Sequence, residues 1–238
     1  EQPFRALRTV RTLERIEPLE LLKPRFTAQD LMLPIDFIES LHSQMSATEV
    51  QDLCKALETE PVVSIRLNDK IDCLTFDADT EEVPWHEDGY YLSKRPQFTL
   101  DPLFHAGCYY VQEASSMFLG EVLNQYVKRD SIVLDMCAAP GGKSTAIAQY
   151  LSENGFLVSN EYVPQRAHVL VENITKWGAP NCVVTNNAPR HFEKLKTRFD
   201  AILVDAPCSG EGMFRKDERA REEWIPANVD MCVERQRE

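Results

Sequence analysis

With 43% hydrophobic and 27% charged side chains in 238 residues, the chain has the make-up of an ordinary globular protein of one large domain or two small ones. No apolar run approaches the roughly 18 residues of a membrane span, and the opening EQPFRALRTVRTLER is not a secretory signal, so a membrane role is not expected. The net charge of -12 weighs against a broadly basic nucleic-acid binder while leaving room for a local basic patch.

Seven cysteines are scattered singly without CxxC pairs, which predicts reduced thiols, a cytoplasmic location and no zinc or other metal site. His86, His105 and His168 have no carboxylate or cysteine neighbours at ligand spacing and are expected in surface or core roles.

In chain order, residues 1–31 are expected to be an N-terminal extension, not native, because Met32 opens MLPIDFIESL in the manner of a natural start. Residues 32–112 read as a small α+β domain. PIDFIESLHSQM (34–45) and SATEVQDLCKALE (46–58) predict two helices, the second with a capping box from Ser46 to Glu49. PVVSIRLN (61–68) alternates like a strand, and the acid-rich stretch 69–101 suits short antiparallel strands. Within it Trp85, Tyr90 and Tyr91 are expected in the core of that domain.

Residues 113–238 form the second expected domain. EASSMFLGEVLNQYV (113–127) predicts one helix whose apolar face carries Met117, Leu119, Val122, Leu123 and Tyr126. Strand and helix then alternate: SIVLDM, KSTAIAQYL, GFLVSNE, PQRAHVLVENITKWG, NCVVTNN and FDAILVDAP. Near-continuous apolar strands separated by helices indicate a parallel, doubly wound sheet with ligands at the carboxyl ends of its strands. Four strands are few for such a sheet, and VDMCVERQRE ends without a cap, so further strands are expected beyond Glu238. MFRKDERAREEW (213–224) reads as a solvated helix, with Arg215 and Lys216 as candidate phosphate contacts.

The stretch VLDMCAAPGGKST (133–145) joins an apolar strand, an acid and a glycine-rich turn ending in Gly-Lys-Ser. A Walker loop needs a first glycine at position 137, where this chain has Cys137, and G-x-G-x-x-G is not matched either. A plain strand-to-helix turn with a solvated Lys143 is one reading. S-adenosylmethionine (SAM), which has a carboxylate and ribose hydroxyls but no phosphate, fits better. Gly141 and Gly142 permit close approach, while helix-start N–H groups and Lys143 favour its carboxylate. Glu161 follows the second strand, where an acid accepts both ribose hydroxyls, and Asn186 with Asn187 ends the third, facing the adenine. Arg166 either braces the ribose position or faces solvent.

The fourth strand runs into Asp205-Ala206-Pro207-Cys208-Ser209-Gly210. A buried structural cysteine is the plain alternative. A thiol at a strand's carboxyl end has a chemical use, because C5 of a pyrimidine is a poor nucleophile. Thiolate addition at C6 makes C5 enamine-like, so it can take a methyl group, and loss of the C5 proton then expels the thiolate. Asp205 is placed to hydrogen-bond the ring during that addition. On the residues alone Cys208 would be the nucleophile.

DMCAAPGGKST, SNE and DAPCSGEGMFRKD, with the lead-in DPLFHAGCYYVQEASSM (101–117), resemble the Sun-type RNA (cytosine-5) methyltransferases, in particular the bacterial ribosomal-RNA branch. The resemblance covers roughly residues 32–238. It implies an α/β fold, a Rossmann-like SAM-dependent methyltransferase sheet truncated at its C-terminus, behind a small N-terminal domain of RNA-binding type. It places SAM against Cys137, Ala138, Ala139, Pro140, Gly141, Gly142, Lys143, Glu161, Asn187, Ala188 and Asp205, and makes small-subunit ribosomal RNA the expected partner. Many relatives have an acid in the third-strand turn, where this chain has Asn186-Asn187-Ala188.

The family uses two cysteines, one in the Pro-Cys-Ser motif that assists product release and a nucleophile in a later Thr-Cys motif. No Thr-Cys pair occurs here, and Cys232 precedes Val-Glu in a charged stretch. The resemblance therefore gives Cys208 the release role, with Asp205 beside it, and implies that residues 1–238 alone bind SAM weakly or not at all and form no product. The alternatives are a catalytically silent RNA- or ribosome-binding module that keeps the pocket, and a methyltransferase for transfer RNA.

Overall fold

The computed structural model of the chain describes residues 33–71, 80–196 and 198–237. The expected extension at 1–31 lies outside the described residues, as does the middle of the acid-rich stretch.

Two helices open the fold, α1 (Ile35–His42) and α2 (Ala47–Leu57). The predicted capping box is present. Glu49 N donates to Ser46 Oγ, and Ser46 N donates to Glu49 Oε2 at 2.9 Å. Four short strands, β1 (Val63–Leu67), β2 (Glu81–Glu82), β3 (Gly89–Leu92) and β4 (Tyr109–Val111), pair antiparallel in the order β2-β3-β1-β4, with α3 (Pro102–His105) leading into β4. Strand alternation sends Ile65 to one face, against Phe98, Cys108 and Tyr109, and Arg66 to the other.

The helix expected over 113–127 is two helices, α4 (Ala114–Met117) and α5 (Leu119–Tyr126), separated at Phe118. Met117 and Leu123 are buried, whereas Val122 and Tyr126 are exposed. The expected stripe was too wide: Leu119 and Leu123, one turn apart, pack inward, while Val122 and Tyr126 fall on the neighbouring stripe and face water.

The parallel sheet follows as β5 (Ile132–Asp135), α6 (Gly142–Tyr150), β6 (Phe156–Asn160), α7 (Pro164–Trp177), β7 (Cys182–Thr185) and β8 (Ala201–Leu203). Its order is β7-β6-β5-β8 with every pairing parallel. The chain moves outward from β5 through β6 to β7 and then returns to the other side of β5. That reversal opens a crevice at the carboxyl ends of β5 and β8. Leu123, Val133, Ile147, Ala148, Leu151 and Leu157 make the core between sheet and helices.

The stretch 213–224 is not a solvated helix. Only α8 (Glu218–Glu222) is helical there, followed by α9 (Pro226–Arg237). Phe214 and Trp224 are buried, and both meet the ring of Phe37 edge-on, with centroids 5.1 and 5.6 Å away. Leu33, Val50 and Cys54 complete this cluster, so the end of the chain packs on its first two helices. No described helix is long and apolar enough to cross a membrane, and no described cluster of His, Cys, Asp and Glu is arranged to hold a metal.

Candidate active site

The site is assembled at four successive strand ends. Asn160, fully buried at the end of β6, fastens three of them. Its amide donates to the carbonyls of Met136 (3.1 Å) and Asn187 (3.0 Å), and its oxygen accepts from Asn187 N (3.0 Å) and Thr185 Oγ1 (2.9 Å). The loop leaving β5 is held from below by α7, where Arg166 donates to Ala139 O and Asn173 to Pro140 O, both at 2.8 Å. Gly141 has φ +116°, a left-handed conformation, and a Cβ there would stand 3.2 Å from Leu170 Cδ1. From that turn α6 starts, and its ladder begins with Thr145 N to Gly141 O. The amides of Gly142, Lys143 and Ser144 therefore have no intrahelical partner, which makes this end a receptor for a carboxylate.

Three acids surround the loop. Asp135, without exposed surface, accepts from Ser144 Oγ at 2.6 Å, and Ser144 in turn accepts from Ser159 Oγ at 2.9 Å. Burial pushes its pKa up to about 6, against the opposing pull of Ser144 and Lys143. Asp205, just past β8, pairs with Lys143 Nζ at 2.6 Å. This ion pair ties the glycine loop to the turn that carries Cys208. Glu161 is buried. Its Oε1 accepts from Val163 N at 2.9 Å, while Oε2 makes no hydrogen bond. Arg166 Nη1 lies 3.5 Å from that second oxygen, an ion-pair distance without hydrogen-bond geometry.

The expected residues fall as follows. Cys137, Ala138, Ala139, Pro140, Gly141, Gly142 and Lys143 form the loop, Glu161 stands beside it, and Asn187 is tied to it through Asn160. Ala188 follows Asn187 on the same turn. Cys137 is half-buried. Burial first, and then Glu161, Asp135 and Asp205, push its thiol pKa up, which suits packing and opposes thiolate chemistry. Cys208 is exposed, three residues beyond Asp205, and the preceding carbonyl of Pro207 accepts from Gln236 Nε2 of α9 at 2.9 Å. Arg166 is half exposed, with one nitrogen on the loop at Ala139 O and another near Glu161. Asn186 spends its amide on the carbonyls of Glu161 (2.6 Å) and Tyr162 (3.0 Å).

Arg66 is the largest contribution that sequence reasoning missed. It has no exposed surface and reaches from β1 into α6. Nε donates to Gln112 Oε1 at 2.9 Å, Nη2 to Thr145 Oγ1 at 2.6 Å, and Nη1 to Gln149. Its guanidinium lies over Trp177, 4.5 Å from the ring centroid. Burial pushes its pKa down to about 10, so it stays charged at neutral pH. A positive charge alternating with apolar residues in a strand is the one signal it left in the sequence. Asp135 left a clearer one, an acid closing an apolar run.

Two family models match the chain: "16S rRNA methyltransferase RsmB/F" over residues 122–238 and "N-terminal domain of 16S rRNA methyltransferase RsmF" over residues 33–114. A protein named ribosomal RNA small subunit methyltransferase F from Pectobacterium atrosepticum is 35% identical over 222 residues, which cover 87% of this chain and 46% of that one. The chain thus spans about half the length of the curated relatives it matches. A crystal structure titled as a methyltransferase homolog protein from Pyrococcus horikoshii superposes with a TM-score of 0.67 at 26% identity, covering 81% of this chain and 67% of that one. The structure of NSun6 from Pyrococcus horikoshii with SFG shares the fold at a TM-score of 0.72 and 20% identity, covering 87% and 78%.

Proposed function

This chain belongs to the 16S rRNA methyltransferase RsmB/F family, and we propose that it carries the cofactor half of a SAM-dependent transferase acting on C5 of a cytosine in small-subunit ribosomal RNA. The observation that carries the reading is the Lys143–Asp205 ion pair at 2.6 Å, which holds the glycine loop and the Pro207-Cys208 turn at one crevice.

The residues present fit SAM. The open amides at the start of α6 receive a carboxylate, and the buried Glu161 oxygen without a hydrogen bond is an acceptor for ribose hydroxyls once the half-exposed Arg166 side chain over it shifts. Asn187 meets the adenine. When bound, SAM supplies an electrophilic methyl group.

The chain's own groups prepare the pyrimidine. Asp205 accepts a hydrogen bond from the cytosine edge and stabilises the ring as a cysteine thiolate adds to C6, which passes electron density to C5. After C5 is methylated its proton is lost to a base, the C5–C6 double bond re-forms and the C6–S bond breaks with return of the electron pair to sulfur. Cys208 assists that release. The adding thiolate belongs to the Thr-Cys motif, which has no counterpart in this sequence. The described cysteines are all free thiols, in keeping with a cytoplasmic protein.

The test is Cys208→Ala in a protein of the relatives' full length. A covalent protein–RNA adduct that accumulates on denaturing gels supports the release role. Loss of the adduct would make Cys208 the nucleophile. The alternative is a silent RNA-binding module. Absence of any labelled methyl incorporation into ribosomal RNA by that full-length protein would select it.

A further inference from the structure

Gln112 follows β4 in the segment between the two sheets, and only 7% of it is exposed. All of its polar groups but one are committed to β1. Its backbone N–H donates to Ser64 O at 3.1 Å, its carbonyl accepts from Ser64 Oγ at 2.6 Å, and its Oε1 accepts from Arg66 Nε at 2.9 Å. A guanidinium can only donate, so the amide oxygen is the atom that faces Arg66 and the NH2 group is turned away from it. That Nε2 is buried and makes no hydrogen bond among the described residues. A buried donor without an acceptor is rare, because it has lost water and received nothing in return.

The free NH2 lies at the first turn of α6. Gly142 opens this nine-residue helix, and its Cβ direction points at Gln112, where an ideal Cβ would stand 3.5 Å from Nε2. Gly142 and Lys143 keep some exposure, so their unpaired amides can be reached from the crevice. The Gly142 carbonyl is already taken by Thr145 Oγ1 at 3.0 Å. Behind this turn stands the Arg66 guanidinium, without exposed surface, donating to Thr145 Oγ1 at 2.6 Å. Backbone amides and a side-chain NH2 therefore meet at one turn, with a full positive charge and the positive end of the helix dipole beside them. The acceptor that suits such a place is an anionic oxygen.

We propose that Gln112 Nε2 is a side-chain donor to the carboxylate of bound SAM; this rests on the cofactor reading proposed above and adds a residue to it. Three hydrogen bonds mount the donor on β1, so it loses little freedom on binding. Through it the N-terminal sheet takes a direct part in holding the cofactor.

Isothermal titration with two ligands tests this, on the 238-residue chain and on a protein of the relatives' full length. S-adenosylhomocysteine carries the carboxylate, whereas methylthioadenosine has the same adenine, ribose and sulfur without it. Gln112→Glu keeps an oxygen for Arg66 Nε and puts a second oxygen where the free NH2 was. It is expected to bind S-adenosylhomocysteine at least about tenfold more weakly, and methylthioadenosine as the unaltered protein does. Gln112→Met removes the donor without adding charge and should give the smaller loss, again confined to the ligand with the carboxylate. A general loosening of the site would weaken both ligands alike, so the ratio of the two affinities separates contact from packing. Unchanged affinity for S-adenosylhomocysteine in Gln112→Glu, or equal losses for both ligands, would overturn the proposal. In a crystal of the unaltered protein with S-adenosylhomocysteine, a carboxylate oxygen is expected about 3 Å from Nε2, and one out of hydrogen-bond reach would overturn it as well. Failure of both unaltered proteins to bind S-adenosylhomocysteine sinks the cofactor reading itself.

Discussion

Asp135 closes β5 with a carboxylate that has no exposed surface and is supported by the Ser144 hydroxyl and the Cys137 backbone amide. Its ordinary value of 3.8 rises to about 6 in the fold, with burial the largest cause. Between those values the native state holds a proton that the unfolded state has lost. Stability therefore declines as pH rises from about 4 to about 6, by roughly 3 kcal/mol, and this group contributes no further change above that window. Urea unfolding at a series of pH values should show this slope in the unaltered chain and a flattened one in Asp135→Asn. Equal slopes in the two would show that the carboxylate is ionised in the fold throughout. The residue's worth to the site is electrostatic: with Asp205 it keeps negative charge around Lys143 and discourages ionisation of Cys137.

At the scale of elements, α6 is the piece that couples the two sheets. Its first turn faces the crevice, and the side chains of Thr145 and Gln149 face Arg66. Gly142 belongs to this contact as well, since a Cβ there would stand 3.2 Å from Tyr110 of β4. Arg66→Met should keep most of the packing but leave Gln112 Oε1, Thr145 Oγ1 and Gln149 Oε1 without their donor. Buried acceptors left dry cost about 1–3 kcal/mol each, so the guanidinium chloride midpoint should drop clearly, with Arg66→Lys recovering part of the loss. A midpoint unchanged in Arg66→Met would mean that the guanidinium does not join the two sheets.

The same elements show what could be read from the chain. β5, β6 and their following helices were legible because buried parallel strands are nearly continuous apolar runs and their helix starts carry turn chemistry. The break at Phe118 was not, since Ser115, Ser116 and Met117 give no local stop signal and the helical pattern continues across it. Arg66 was illegible for a different reason: its side-chain hydrogen-bond partners lie 46 to 83 positions away, and only the folded arrangement brings them to one side chain.

Over the whole molecule, ends distant in sequence are joined. Phe37 of α1 meets Phe214 and Trp224, and Arg221 meets Glu58, so the charged stretch 213–224 is an interior seam whose apolar residues are separated by charges that reach the surface or a partner. Local periodicity cannot reveal such a contact, which is why that stretch read as a solvated helix. The elements that carry the candidate site were easier to place: its loop, Glu161, Asn187 and Asp205 each follow an apolar strand, and strand ends can be read locally. The account's central claim is that these ends present a methyl donor and Cys208 to one crevice. A co-crystal structure of the 238-residue chain with S-adenosylhomocysteine tests it directly. The account predicts the carboxylate at the amides of Gly142 and Lys143, the ribose on Glu161 and the sulfur facing the turn that carries Asp205 and Cys208. A ligand seated elsewhere, or a sulfur turned away from that turn, would contradict it.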